Sequence, residues 1–206
     1  MGLAEDLVQQ QALLVTQKRE LVELIGFETR NQYAITAGDG GSILAYAAEQ
    51  QSGALGFFVR QFLGHWRTFN ISIYDSGWDP ALVAHHPFRW FFQRLEVSTA
   101  EGRPLGVLQQ RFSLLTKRFD VEDAAGTVRL TVSSPLWRIW TFPFMKGGRQ
   151  MAVVTKKWTG LLSEAFTDKD HFRVEYQDRR LTAEERQLIL AAALFIDLQY
   201  FESKAG

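Results

Sequence analysis

Residues 188–196 read LILAAALFI and form the longest uncharged apolar run in the chain. In a helix, at about 1.5 Å per residue, the run spans roughly 13 Å, against roughly 30 Å of hydrocarbon in a bilayer. The charged residues Arg186 and Asp197 flank the run and prevent its extension. A helix that is apolar on every side must be surrounded by protein or by lipid, and this one is too short for lipid. We therefore predict that protein encloses it.

The helix around this run is predicted over residues 182–202. Thr182 is a favourable N-cap, and Glu184 and Glu185 place negative charge in the first turn. The three alanines at 191–193 would let surrounding strands approach closely. Asp197 is expected to be a structural hydrogen-bond anchor to those strands, because a buried carboxylate needs a partner.

Upstream of the helix, apolar residues alternate with period two around glycine-containing turns. The four turns are centred on Gly40, Gly77, Gly102 and Gly126. This pattern is typical of β-hairpins, because one strand face is buried and glycine accepts positive φ. Four hairpins give about eight strands, and residues 151–158 and 172–176 add at least two more. Because so many strands must hide their edges, we predict a mainly β fold, a closed antiparallel β-barrel around one C-terminal hydrophobic α-helix.

The N-terminal residues 1–26 are ambiguous. Leu7, Leu14 and Leu21 suit one face of a helix, whereas residues 13–16 could equally form a short strand. We assign 1–26 as a short strand or helix segment that leads into the barrel. No Pro- or Ser-rich linker divides residues 27–206, which are predicted to form a single domain.

Composition excludes several classes of function. Lys and Arg together number 23, as do Asp and Glu, so the net charge is zero and nucleic acid is not expected as a partner. The chain has no cysteine, which excludes disulfides, thiolate zinc sites and S-palmitoylation. The first residues lack a basic n-region, so a cytoplasmic protein is expected. No combination of acid, base and nucleophile is recognisable, so we do not expect an enzyme.

Residues 157–168, KWTGLLSEAFTD, with Asp170 and Phe172 after them, closely resemble the signature of the phospholipid scramblase family. The stretches FIDLQYFE (195–202), GFETRNQY (26–33) and YAAE (46–49) are similar to other segments of that family. The resemblance implies a tubby-like barrel of the LURP-one-related superfamily. It also implies calcium-linked, ATP-independent movement of phospholipids between leaflets. Members of the family attach to membranes through acylated cysteines, but this chain has no cysteine and so departs from the family in lacking that anchor. Structural roles are assigned to Trp158, Gly160, Phe166, Phe172, Phe195 and Asp197.

Calcium is the cofactor that the resemblance implies. Asp168 and Asp170 match the family's first two acidic positions, while its last one aligns with Arg179, next to Asp178. The candidate calcium ligands are therefore Asp168, Asp170 and Asp178, although calcium needs six to eight oxygens and that number is not apparent here. The alternative is a polar turn that enters a buried strand over residues 172–176.

Two aromatic clusters, at residues 88–92 and 137–144, have two interpretations. Alternation within strands favours the core for most of these side chains. Tryptophan beside basic residues also suits a membrane interface, and the family's cysteine-rich segment aligns with residues 86–92. The candidate lipid contacts are Lys156, Lys157, Trp90, Phe91, Arg138 and Trp140. The two lysines could bind a phosphate as point charges or form a solvated strand edge.

These observations give two hypotheses about function. In the first, the protein binds phospholipid headgroups peripherally, on the cytoplasmic face of a membrane, and supports calcium-dependent scrambling. In the second, it is a soluble scaffold or a ligand-binding barrel that transports no lipid.

Overall fold

The structure is a computed structural model that describes residues 2–18, 31–38, 40–50, 68–138, 140–157 and 171–200. Within these ranges it contains two helices and twelve strands. The helices are α1 (Leu3–Gln9) and α2 (Ala183–Tyr200). The strands are β1 (Ala12–Lys18), β2 (Gln32–Ala37), β3 (Ile43–Gln50), β4 (Phe69–Asp75), β5 (Pro80–His86), β6 (Arg94–Thr99), β7 (Pro104–Arg111), β8 (Thr116–Asp123), β9 (Val128–Pro135), β10 (Thr141–Lys146), β11 (Arg149–Lys157) and β12 (His171–Tyr176).

The twelve strands form one closed barrel in which each strand is antiparallel to its neighbours in the chain. The barrel closes where β1 pairs with β12, for example Leu13 opposite Val174. The predicted barrel is confirmed, and the four predicted hairpins are β2–β3, β4–β5, β6–β7 and β8–β9. Closure leaves no unpaired sheet edge. It thereby removes the exposed edges that a sheet of so many strands would otherwise have.

Helix α2 runs through the interior of the barrel. Every residue from Glu185 to Leu198 is buried, and the run of alanines at 191–193 is at most 1% exposed. The prediction of an enclosed helix is confirmed. The helix begins directly after Thr182, whose hydroxyl accepts a hydrogen bond from the Glu185 N–H at 3.2 Å, while the Glu185 carboxylate accepts one from the Thr182 N–H at 3.1 Å. This reciprocal pair is a capping box.

Polar contacts fix the first turn of α2 at the point where it enters the barrel. The Glu185 carboxylate lies 2.7 Å from Lys146 Nζ on β10. Arg186, itself buried, donates hydrogen bonds to the carbonyl oxygens of Leu7 and Gln10, at 3.0 and 2.7 Å. Through Arg186 the short helix α1 is held against α2, so these contacts link both ends of the described chain.

We expect Gly106→Ala to destabilise the protein. An added Cβ would press against the Glu122 carbonyl oxygen on β8 and lie 3.0 Å from Leu188 Cδ1 on α2. Relief requires movement of backbone, and overpacking of this kind typically costs about 1–3 kcal/mol. Urea unfolding measures the loss. Gly2→Ala is the control, because a Cβ there meets nothing within 4 Å, and equal stability of both variants would contradict the prediction.

Candidate functional site

The two ends of the barrel are built from different kinds of connection. In an antiparallel meander, the loops that follow odd-numbered strands lie at one end and those that follow even-numbered strands lie at the other. We call the first the loop end; its described loops are residues 87–93, 112–115 and 136–140 without 139. The second, which we call the turn end, has short turns such as those at Gly102 and Gly126, where φ is +86° and +80°.

The loop end carries most of the exposed large apolar side chains. Of twelve such residues in the described part of the chain, nine lie there, each 41–79% exposed. We call these nine the apolar rim: Phe88, Trp90, Phe91, Phe92, Phe112, Leu114, Leu115, Leu136 and Trp137. The other three, Val8, Ile43 and Val128, lie toward the turn end. Apolar exposure concentrated in this way marks an interaction surface.

Hydrogen bonds hold the three loops of the rim beside one another. The Leu136 N–H donates to the Leu115 carbonyl at 3.1 Å. Gln109 at the end of β7 donates to the Phe92 carbonyl at 3.2 Å. Phe92 has a φ of +53°, a left-handed conformation that is uncommon outside glycine. The first loop therefore adopts a specific conformation in which Trp90 and Phe91 stay exposed.

The loops of the rim contain basic residues and no acidic ones. Arg89 follows Phe88, and Arg138 follows Trp137, whereas residues 87–93, 112–115 and 136–140 include no Asp or Glu. Both arginines are exposed. Exposed apolar side chains with adjacent arginines, and without carboxylates, are suited to contact a surface whose interior is apolar and whose outer layer is anionic.

Beneath the loop end, charged and polar groups are buried inside the barrel. Lys156 Nζ lies 3.4 Å from Asp197 Oδ1, and both side chains are only 2–3% exposed. The Tyr33 hydroxyl donates to Asp197 Oδ2 at 2.9 Å. Asp197, assigned a structural role from the sequence, therefore connects α2 to strands β2 and β11. The Lys156 ammonium also lies 5.1 Å from the centre of the buried Phe172 ring.

The structure places the predicted lipid contacts in different environments. Trp90, Phe91 and Arg138 are exposed at the loop end, and Trp140 is half-buried there. Lys156 points into the barrel, because it shares the inward face of β11 with residues 152 and 154. Its ammonium is not available to a headgroup in this arrangement. The side chain of Lys157 is not among those that the structure describes.

The prediction that most residues of the two aromatic clusters fill the core is wrong for the first cluster. Phe88, Trp90, Phe91 and Phe92 are all exposed. They lie in the loop between β5 and β6, where the in-and-out alternation of a strand does not apply. In the second cluster, by contrast, residues 142 and 144 lie on β10 and are fully buried.

The predicted calcium ligands cannot be assembled from the described residues. Asp168 and Asp170 lie outside them, as do the structural assignments Trp158, Gly160 and Phe166. Asp178 binds Arg180 through both oxygens, at 3.1 and 2.9 Å, and these hydrogen bonds hold the pKa of its carboxyl well below the usual range. Nowhere in the described ranges do three or more His, Cys, Asp or Glu side chains group as a metal site. Calcium therefore stays a prediction.

The loop between β7 and β8 was missed from the sequence. Its residues Phe112, Leu114 and Leu115 are 67–75% exposed and extend the rim from the first loop to the third. The available signal was an apolar FSLL sequence at a chain reversal, where polar residues and glycine are usual.

Within the described part of the chain, no helix combines the length and the apolar character needed to cross a membrane.

Comparison with known proteins gives a consistent result over almost the whole chain. A family model described as Scramblase matches residues 2–203. "Phospholipid scramblase 2" of Bos taurus is 28% identical over 217 residues, which cover 98% of this chain and 72% of that protein. "Phospholipid scramblase 1" of Homo sapiens is 28% identical, with 97% of this chain and 65% of that protein covered. No solved structure matches.

Proposed function

We propose, from the premise that this chain belongs to the scramblase family, that it binds phospholipid membranes through the apolar rim and promotes scrambling of their lipids. The observation that carries the proposal is the rim itself, nine exposed apolar side chains on adjoining loops without a carboxylate. Tryptophan and phenylalanine at loop tips favour the membrane interface, where an apolar ring and a polar edge are both accommodated.

The proposed attachment is peripheral and on the cytoplasmic face. The loop tips would enter the boundary between headgroups and acyl chains, a layer about 5–10 Å deep. The barrel wall, held closed by its continuous ladder of strand pairs, would remain outside the hydrocarbon. The activity involves no covalent chemistry, so the protein is proposed as a lipid-binding and lipid-moving protein and not as an enzyme.

We expect Trp90→Ser/Leu114→Ser/Trp137→Ser, with one change in each loop, to weaken vesicle binding at least about tenfold. Full burial of one large apolar side chain is worth roughly 1.5–3 kcal/mol, so even partial immersion of three gives this loss. Co-sedimentation with vesicles of phosphatidylcholine and phosphatidylserine measures it. Val8→Ser/Ile43→Ser/Val128→Ser is the matched control, because it removes three exposed apolar residues from the turn end.

Equal binding by the rim variant and the wild type would refute docking through the rim. An equal loss in both triple variants would have the same meaning, since it would trace binding to general hydrophobicity. Failure of the wild type to bind any vesicle would favour the second hypothesis, a soluble scaffold that transports no lipid. Circular dichroism establishes that each variant is folded.

Calcium-dependent, ATP-independent scrambling is the finer part of the proposal, with Asp168 and Asp170 as the candidate ligands. The match of both residues to the acidic positions of the family supports the role of calcium, and the names of the relatives support scrambling alone. Fluorescent-lipid flipping in proteoliposomes, with and without calcium, tests it. Lipid flipping that calcium stimulates in the wild type but not in Asp168→Ala would support the calcium dependence. Flipping at the same rate with and without calcium would refute the calcium dependence and leave the proposal of membrane binding standing.

A further inference from the structure

Three arginines at the loop end have no carboxylate partner among the residues that the structure describes. The guanidinium groups of Arg89, Arg118 and Arg138 are exposed, and none of them has an ion-pair or hydrogen-bond partner among the described residues. Six other arginines of the described chain do form ion pairs with Asp or Glu: Arg94, Arg111, Arg129, Arg149, Arg173 and Arg180. The three exposed cations are therefore available to an external anion.

Charge is distributed unevenly along the barrel axis, although the whole chain is neutral. Within three residues of the described loops, in windows 84–96, 109–118 and 133–143, there are six cations and one anion. Within three residues of the five turns at the opposite end there are four cations and six anions. The described loops of the loop end thus have a local excess of positive charge. Such a cluster attracts an anionic surface despite a net charge of zero.

The arginines lie at a suitable height relative to the rim. Arg89 and Arg138 adjoin Trp90 and Trp137 in the sequence, so their long side chains can reach back from an inserted tip toward the headgroups. Arg118 is three strand residues below Leu115, which is about 10 Å at 3.3 Å per residue. That distance is close to the depth to which amphipathic surfaces enter the interface. With the tips immersed, all three guanidiniums lie near the phosphates.

We propose that Arg89, Arg118 and Arg138 bind the phosphate and carboxylate groups of anionic phospholipids, so that the rim docks on anionic membranes in preference to zwitterionic ones. This inference rests on the proposed function and adds the lipid class that the surface recognises. Guanidinium suits the task, because its planar donors match phosphate and carboxylate oxygens in pairs. Binding is then the sum of an apolar contribution from the tips and an electrostatic one from the arginines.

The test compares vesicles of phosphatidylcholine with and without phosphatidylserine. We expect Arg89→Gln/Arg138→Gln to weaken binding to the anionic vesicles about thirtyfold, the equivalent of about 1 kcal/mol for each arginine near the surface. Binding to phosphatidylcholine alone should be unchanged. Arg103→Gln/Arg179→Gln removes the same charge from exposed positions at the turn end and should leave both affinities unchanged.

Equal affinity of the wild type for the two vesicle types would overturn the inference but not the proposed function. The same would follow if both double variants lost affinity equally, since net charge alone would then be responsible. Absence of binding to either vesicle would refute the proposed function itself. The remaining alternative is that a second copy of the chain occupies the rim. Sedimentation without lipid tests it, and a dimer that depends on the rim side chains would also overturn the inference.

Discussion

Asp197→Ala is expected to lower the free energy of unfolding by about 3–5 kcal/mol, because it removes one partner of a buried ion pair. Asp197 Oδ1 lies 3.4 Å from Lys156 Nζ, and Oδ2 accepts the hydrogen bond of Tyr33 at 2.9 Å. The variant leaves a buried ammonium and a buried hydroxyl without the carboxylate. Urea unfolding, followed by circular dichroism, measures the change.

A double variant distinguishes two contributions to the free energy of unfolding: the destabilisation caused by an unpaired buried charge, and the net stabilisation from the ion pair. Lys156→Met/Asp197→Leu removes both charges and keeps apolar volume, so it should recover most of the lost stability. Its binding to vesicles should equal that of the wild type, since Lys156 lies inside the barrel. A loss of less than about 1 kcal/mol in Asp197→Ala would contradict the structural role of the pair. Loss of vesicle binding in the folded double variant would restore Lys156 as a headgroup ligand.

The fold was predictable to the extent that its patterns are local. Period-two alternation around glycine turns identified four hairpins, and an all-round apolar run identified the enclosed helix. Strand β10 was not recognised, because residues 141–146 are aromatic-rich and contain Pro143, which cannot donate to a ladder. In the structure it pairs with β9 at only two positions. Strand β1 is ambiguous from the sequence, because Leu7, Leu14 and Leu21 have helical spacing across the same segment.

The candidate site was less predictable, because its properties depend on where segments meet. Alternation was applied to residues 88–92, which lie in a loop. Applied to strand β11, period-two alternation puts the side chain of Lys156 on the same inward face as Ala152 and Val154. The sequence could therefore have identified this lysine as buried. Its partner Asp197 is 41 residues away, on an element that enters the barrel from the other end. No local pattern specifies that pairing.

Phe195→Ala is expected to cost about 3–5 kcal/mol of stability, the usual penalty for removing a fully buried aromatic ring. Phe195 is on the enclosed helix and is 0% exposed. Its ring centre lies 5.6 Å from that of His86 on β5 and 6.1 Å from that of Phe119 on β8. The strands around it form a closed ladder and can collapse only slightly into the resulting cavity.

The matched control is the same substitution on the apolar rim. Phe91 is 79% exposed, so Phe91→Ala should change the free energy of unfolding by no more than about 0.5 kcal/mol. Phe91→Ala should instead weaken binding to vesicles. Phe195→Leu, a milder change in the core, should leave vesicle binding unchanged. Urea unfolding and co-sedimentation on the same preparations give both quantities. If Phe195→Ala is as stable as the wild type, strands do not enclose the helix, and the separation of an inner structural helix from an outer lipid-binding rim fails.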